Sequence, residues 1–193
     1  MTPRLPPALA SVLAASAVAA TTGLAACAGL KPPAGTTLAP VVVPDALAPP
    51  PDEIKVAAYA ARGVQVYECR ARPEGGEAVA WAFVAPEAEL VDGAGQLVAR
   101  HFGGPTWQGL DGSQVVGTVV KKVDAPGAGD IPWLLLATQP GAARGTFAKY
   151  THVQRVATMG GVAPATGCRT SADLRRVERV PYQAQYWFFA KKW

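Results

Sequence analysis

The chain has 193 residues, half of them hydrophobic and 17% charged, with a formal net charge of +4. That balance excludes an intrinsically disordered chain and a scaffold dependent on metal clips, and it leaves room for one domain with its own core. The charge is uneven, with nine Lys or Arg against two Asp or Glu in residues 140–193. Arg169, Arg175, Arg176 and Arg179 lack the interleaved aromatics of a single-strand nucleic-acid platform, so a solvated basic face is expected and no nucleic-acid partner.

Residues 1–26 open with Arg4, continue through an apolar run from Ala8 to Ala20 and end in small residues, the three-part layout of a secretory signal. A retained membrane helix fits less well, because the run is mostly alanine, follows Pro6 and Pro7, and has no basic stop-transfer flank. Leu24-Ala25-Ala26-Cys27 resembles the lipobox of bacterial lipoproteins. The resemblance implies cleavage before Cys27, lipidation of its thiol and, with Ala28 rather than Asp following, an outer-membrane destination. The expected location is therefore the cell envelope, with membrane as a partner through the lipid and the domain facing the periplasm or the surface.

Residues 27–51 hold seven prolines, only Lys31 and Asp45 as charges, and no aromatic residue. Such a segment is extended and semi-stiff, so a spacer without a buried core is expected, followed by a single domain over residues 52–193. Assigning Cys27 to lipid leaves Cys69 and Cys168 as an even pair in an oxidising compartment, and a disulfide between them is expected. There is no Cys-x-x-Cys, and two cysteines with two distant histidines make a poor zinc set, so neither a metal site nor a cofactor is expected.

Along the domain, Arg62 to Arg70 alternate, placing Val64 and Val66 on one face and Gln65, Tyr67 and Cys69 on the other. Further strands are predicted at Val79 to Ala85, Gln96 to Phe102, Val115 to Val123, Trp133 to Thr138, Phe147 to Arg155 and Tyr182 to Ala190. Asp92-Gly93, Asp111-Gly112, Pro126-Gly127 and Pro140-Gly141 supply turns between them. The expected class is all-β, an antiparallel β-sandwich or jelly-roll-like domain of about seven to nine strands; the pattern also suits a barrel. At most one short helix is expected, near residues 171–179, with Ser171 as its cap and Leu174 and Val177 on one face.

The densest chemistry is His101-Phe102-Gly103-Gly104-Pro105-Thr106-Trp107, followed by Asp111-Gly112-Ser113. With Gly63-Val64-Gln65-x-Tyr67-x-Cys69, Pro132-Trp133-Leu134-Leu135-Leu136, Arg155-x-x-Thr158-x-Gly160-Gly161-x-Ala163-Pro164 and Tyr182-x-Ala184-x-Tyr186, these stretches together resemble the secreted bacterial and fungal domain-of-unknown-function family 3455. The resemblance spans roughly residues 53–190 and implies a secreted domain, with no established activity or catalytic residue to transfer.

Read as chemistry, His101 at a strand end beside a Gly-Gly-Pro turn, with Trp107 as a wall, suggests a pocket, and His101, Trp107, Asp111 and Arg155 form the candidate ligand-binding set. His101, Asp111 and Ser113 are the candidate catalytic set of an envelope hydrolase, since a serine nucleophile needs a histidine base and an orienting carboxylate. Against it stand the turn character of Asp-Gly-Ser and the lack of a Gly-x-Ser-x-Gly elbow. The glycines after Arg155 suit either an anion-holding loop or a structural turn, and they lack the following Lys-Ser/Thr of a phosphate loop. Trp81, Trp107, Trp133, Trp187 and Trp193, with Tyr67, Tyr150, Tyr182 and Tyr186, are mostly expected in the core, with Trp107 and one neighbour facing a glycan or other envelope ligand. The reading that results is a binding or interaction module, with the hydrolase and a purely structural surface protein as alternatives.

Overall fold

The computed structural model describes residues 37–72, 78–141 and 143–192. The expected signal, Cys27 and Trp193 lie outside the described residues. Eight strands follow one another: β1 (Glu53–Ala71), β2 (Val79–Val91), β3 (Leu97–Phe102), β4 (Thr106–Gly109), β5 (Gln114–Val123), β6 (Trp133–Pro140), β7 (His152–Gly160) and β8 (Val177–Lys191). Each pairs antiparallel with the next, and β8 returns to β1 to close a barrel. No helix among the described residues is long and apolar enough to cross a membrane.

The all-β antiparallel class and the number of strands match the sequence expectation. The sandwich or jelly-roll picture is refined, because the strands form one continuous sheet rather than two separate ones. Closure follows from the length of β1, whose 19 residues serve two neighbours at once. Residues Glu53 to Glu68 pair with β8, while Ala60 to Ala71 pair with β2. Closure pairs the first strand with the last, while β2 before Ala88 and β5 beyond Gly117 keep a ladder partner on one side only.

Small residues on the inner face make room for large ones. Ala61, Ala88 and Ala99 share the core with Trp107, Tyr186 and Phe188, which suits an eight-stranded barrel, whose interior is just wide enough for side chains. At Gly117 a Cβ would lie 2.9 Å from the Trp107 ring and 3.0 Å from Leu136, so only glycine leaves the indole its place. Bulges at Val66/Tyr67, Val119/Lys121 and Val156/Met159 bend the sheet. The last holds Ala157 at a φ of 48°.

One end of the barrel is plugged. In the β6–β7 connection a 3₁₀ turn, Phe147–Lys149, drives Phe147 against Phe188 and Tyr150 with ring centroids 5.2 Å from each. The predicted strand from Phe147 to Arg155 therefore begins only at His152. The four-residue β4 lies between the predicted strands Gln96–Phe102 and Val115–Val123, being too short to show an alternation.

Two expectations are corrected. The short helix near residues 171–179 is a single 3₁₀ turn, Ser171–Asp173, capped by Thr170 and Asp173 rather than by Ser171. Leu174 and Val177 are exposed, so no buried stripe drives a longer helix, and Val177 already belongs to β8. The latter part of the expected spacer is also docked rather than free: residues 37–51 lie against the outer wall of the barrel. Leu47 is 0% exposed and packs with Trp133, Leu135 and Val156, with Val41 and Val43 beside it. Gln154 Nε2 donates to Leu47 O at 2.7 Å, and Gln185 Nε2 to Ala39 O at 2.9 Å. A chain too poor in apolar residues to build a core still completes one when a wall is supplied.

The Cys69–Cys168 disulfide is present, with Cα atoms 5.5 Å apart. It ties the end of β1 to the β7–β8 connection, where Arg175 N donates to Cys69 O and Cys69 N to Arg176 O.

Candidate functional site

Opposite the Phe147 plug, where the odd-numbered strands finish and the even-numbered ones begin, the barrel interior holds a cavity of about 420 Å³. Its lining combines Gln65 and Tyr67 of β1, Pro86 of β2, His101, Trp107, Leu134 and Leu136, Arg155 of β7 and Tyr186 of β8. Alternation carries these residues inward: Gln65 and Tyr67 are two apart on β1, and Leu134 and Leu136 two apart on β6. The volume lies in the range of small-molecule sites, and the wall is mostly apolar with a few polar groups, as such sites are.

One wall is a stack of rings. His101 and Trp107 are cross-strand partners, and their rings lie parallel, 4.4 Å apart at an interplanar angle of 6°. Tyr186 meets both edge-on, at 5.0 Å from His101 and 5.5 Å from Trp107. His101 is 3% exposed. Its Nδ1 lies 2.9 Å from Thr106 O, and since a carbonyl only accepts, Nδ1 carries the hydrogen. Burial drives its pKa from 6.5 down to about 3, with the Thr106 carbonyl opposing and the charge of Arg155 adding to the fall, so the imidazole is neutral.

The tyrosines are neutral as well. Tyr67 donates to Gly161 O at 2.7 Å, and the Tyr182 and Tyr186 hydroxyls lie 3.1 Å apart. Burial raises the pKa of all three, and the positive charge of Arg155 partly offsets the rise at each. Arg155 itself donates from Nε and one Nη to Pro132 O, at 3.2 and 2.8 Å. Among the described residues no carboxylate forms an ion pair with it. Gln65 Nε2 and Trp107 Nε1, on two of the lining residues, are buried donors without an acceptor.

A family model described as a protein of unknown function, DUF3455, matches residues 50–190. The chain belongs to the DUF3455 family. No curated protein and no solved structure matches it. The DUF3455 domain thus covers the whole barrel, including the rings, Arg155 and the disulfide.

Of the residues singled out in the sequence, the DUF3455 barrel brings His101, Trp107 and Arg155 together in the cavity and leaves Asp111 and Ser113 elsewhere. These two sit in the β4–β5 turn, at the plugged end. Asp111 Oδ1 accepts from Ser113 N at 3.0 Å and Ser113 Oγ at 2.5 Å, and its Oδ2 accepts from Thr146 N at 2.9 Å. Ser113 Oγ in turn accepts from Phe147 N at 2.9 Å. These bonds to Ser113 and Thr146 hold the Asp111 carboxyl down to a pKa of about 2. The cluster positions the plug, and neither residue reaches the imidazole of His101.

The other candidates resolve into structure. Gly160 and Gly161 have φ values of 73° and 87°. Gly160 N donates to Asp130 Oδ1 at 2.6 Å, and Thr158 Oγ1 donates to Ile131 O at 2.6 Å. The glycines therefore form a clamp on the β5–β6 connection, while Arg155 points into the barrel. His152 pairs with Glu53 at 2.9 Å, away from His101. No group of three metal-ligating side chains gathers among the described residues. Trp81 donates to Thr166 O at 3.0 Å, Trp133 lies beneath the docked 37–51 segment, and the ring of Trp187 carries Lys55 Nζ at 3.7 Å from its centroid.

Gln65, Tyr67 and Tyr186 were not singled out as site residues by sequence reasoning. Their signal was present in the alternation of Gln65, Tyr67 and Cys69 and in Tyr182-x-Ala184-x-Tyr186: polar and aromatic residues on one face mark an interior wide enough to need them.

Proposed function

We propose that the domain is an exported, lipid-tethered binding module that takes a small, mainly apolar molecule into the barrel mouth. The observation that carries this reading is the cavity itself. It is walled by packed rings and aliphatic side chains, and it leaves open part of an interior that a barrel of this size would otherwise fill. The rings face inward rather than forming an exposed platform, which favours a compact apolar ligand over an extended glycan. Export and attachment through Cys27 rest on the lipobox resemblance, and the disulfide is in keeping with an oxidising compartment.

A hydrolase centred on His101, Asp111 and Ser113 gains no support, since the imidazole is stacked and buried at one end of β4 and the other two residues brace the opposite end. A purely structural role would leave the cavity without use.

Titration with the neutral fluorophore N-phenyl-1-naphthylamine tests the reading. Saturable one-to-one binding is expected, and Leu134→Trp, which fills the cavity from β6, is expected to abolish it. Binding indifferent to Leu134→Trp, or no saturable binding of either this probe or its sulfonated analogue 1-anilinonaphthalene-8-sulfonate, overturns the proposal. Mass spectrometry of the membrane-extracted protein is expected to show a diacylated Cys27 at the amino terminus; an unprocessed terminus overturns the tether.

A further inference from the structure

We infer that the ligand is an anion whose head group is held by Arg155 in the cavity wall. This inference rests on the barrel mouth being a ligand site and adds the chemistry of the occupant. Three observations converge on it. First, none of the residues lining the cavity is acidic and two are cationic, Arg155 and Lys122. A guanidinium placed on the inner face of a barrel without a counter-charge is costly, and a bound anion supplies what the wall lacks.

Second, the neighbours of Arg155 cannot take the counterion's place. Tyr67 already donates to Gly161 O, and Tyr182 and Tyr186 share a hydrogen bond with each other. His101 is neutral and donates to Thr106 O. No negative charge comes from the protein side of the site.

Third, the guanidinium is oriented but not used up. Pro132 O accepts from Nε and one Nη, which fixes the plane of the group and leaves further N–H donors. Spare N–H donors on a planar guanidinium suit an oxyanion, and a carboxylate or sulfonate suits it above a neutral carbonyl. The remaining wall, with Trp107, Leu134, Leu136 and Pro86, takes the apolar body. The occupant is thus an amphiphilic monoanion: one acidic head on an aromatic or branched hydrocarbon frame.

N-Phenyl-1-naphthylamine and 1-anilinonaphthalene-8-sulfonate have the same body and differ in one sulfonate, which isolates the head group. The full domain is titrated with each, counting only binding that Leu134→Trp removes. The sulfonate is expected to bind about tenfold tighter or more, with an affinity that falls as salt rises. Arg155→Met is expected to bring the two affinities together, and Arg155→Lys to retain part of the preference. Equal affinities in the unmodified protein overturn the inference while leaving the cavity as a site for neutral molecules, whereas failure of both probes overturns the site itself. A sulfonate preference that survives in Arg155→Lys and Arg155→Met alike assigns the anion to another cation and also overturns it. Because the comparison in the unmodified protein stands alone, the test holds even where Arg155→Met fails to fold.

Discussion

Acidification should destabilise this barrel through His101, and the size of the effect follows from where the ring sits. In the unfolded chain the imidazole titrates near its ordinary value of 6.5, whereas in the barrel it titrates at about 3. Below 6.5 the unfolded chain takes up a proton that the folded ring refuses, so stability falls as pH drops toward 3. Between pH 7 and pH 4.5 the linkage amounts to about 2–3 kcal/mol, a sizeable fraction of a typical domain's stability. Few other groups with displaced pKa values interfere in that window. Asp111 and Asp173, both held down to about 2, lose their contribution only as pH falls below their ordinary value of 3.8. The assay is denaturant unfolding at the two pH values, with the disulfide intact, for the natural protein and for His101→Asn. Asparagine keeps a side-chain N–H for Thr106 O but does not titrate. The variant is expected to be less stable at pH 7, through lost ring stacking, yet to lose about 2–3 kcal/mol less on acidification. The His152–Glu53 pair is common to both proteins and cancels. Equal losses in the two proteins would refute the burial of a neutral imidazole against Trp107.

Removal of the disulfide by Cys69→Ala with Cys168→Ala frees a loop with a sequence separation of 99. It is expected to cost about 4–5 kcal/mol by the chain-entropy account, read by chemical denaturation, with a loss under 1 kcal/mol counting against that account. Leu47→Ala removes the one fully buried anchor of the docked 37–51 segment and is expected to cost about 2–5 kcal/mol. The same change should open residues 37–51 to limited proteolysis while the barrel remains resistant, and an unchanged cleavage pattern would show that the hydrogen bonds from Gln154 and Gln185 hold the segment alone.

How much of this was legible depends on what each residue needed. The alternation on β1 separated Gln65, Tyr67 and Cys69 from Val64 and Val66, and the barrel places the first set inward, because period two is a local property of an extended chain. The disulfide was readable from counting once Cys27 was set aside. The docked segment was not, since Val41, Val43 and Leu47 have no period of their own and find a partner only on a finished wall. Proximity in sequence misled at Asp111 and Ser113, where a four-residue strand is enough to carry a pair from the cavity to the plug.

The amino-acid sequence by itself determined most of the strands, the turns between them, the faces they present and the pairing of Cys69 with Cys168. Tertiary structure decided that β8 returns to β1, that small inner residues leave a cavity at one end, and that Arg155 stands in it without a carboxylate. The physical reason is that a pleat tells each residue which side it faces but not whether that side curls around on itself. Closure depends on register between the first and last strands, and the charge state and neighbours of an inward side chain exist only once the barrel has closed.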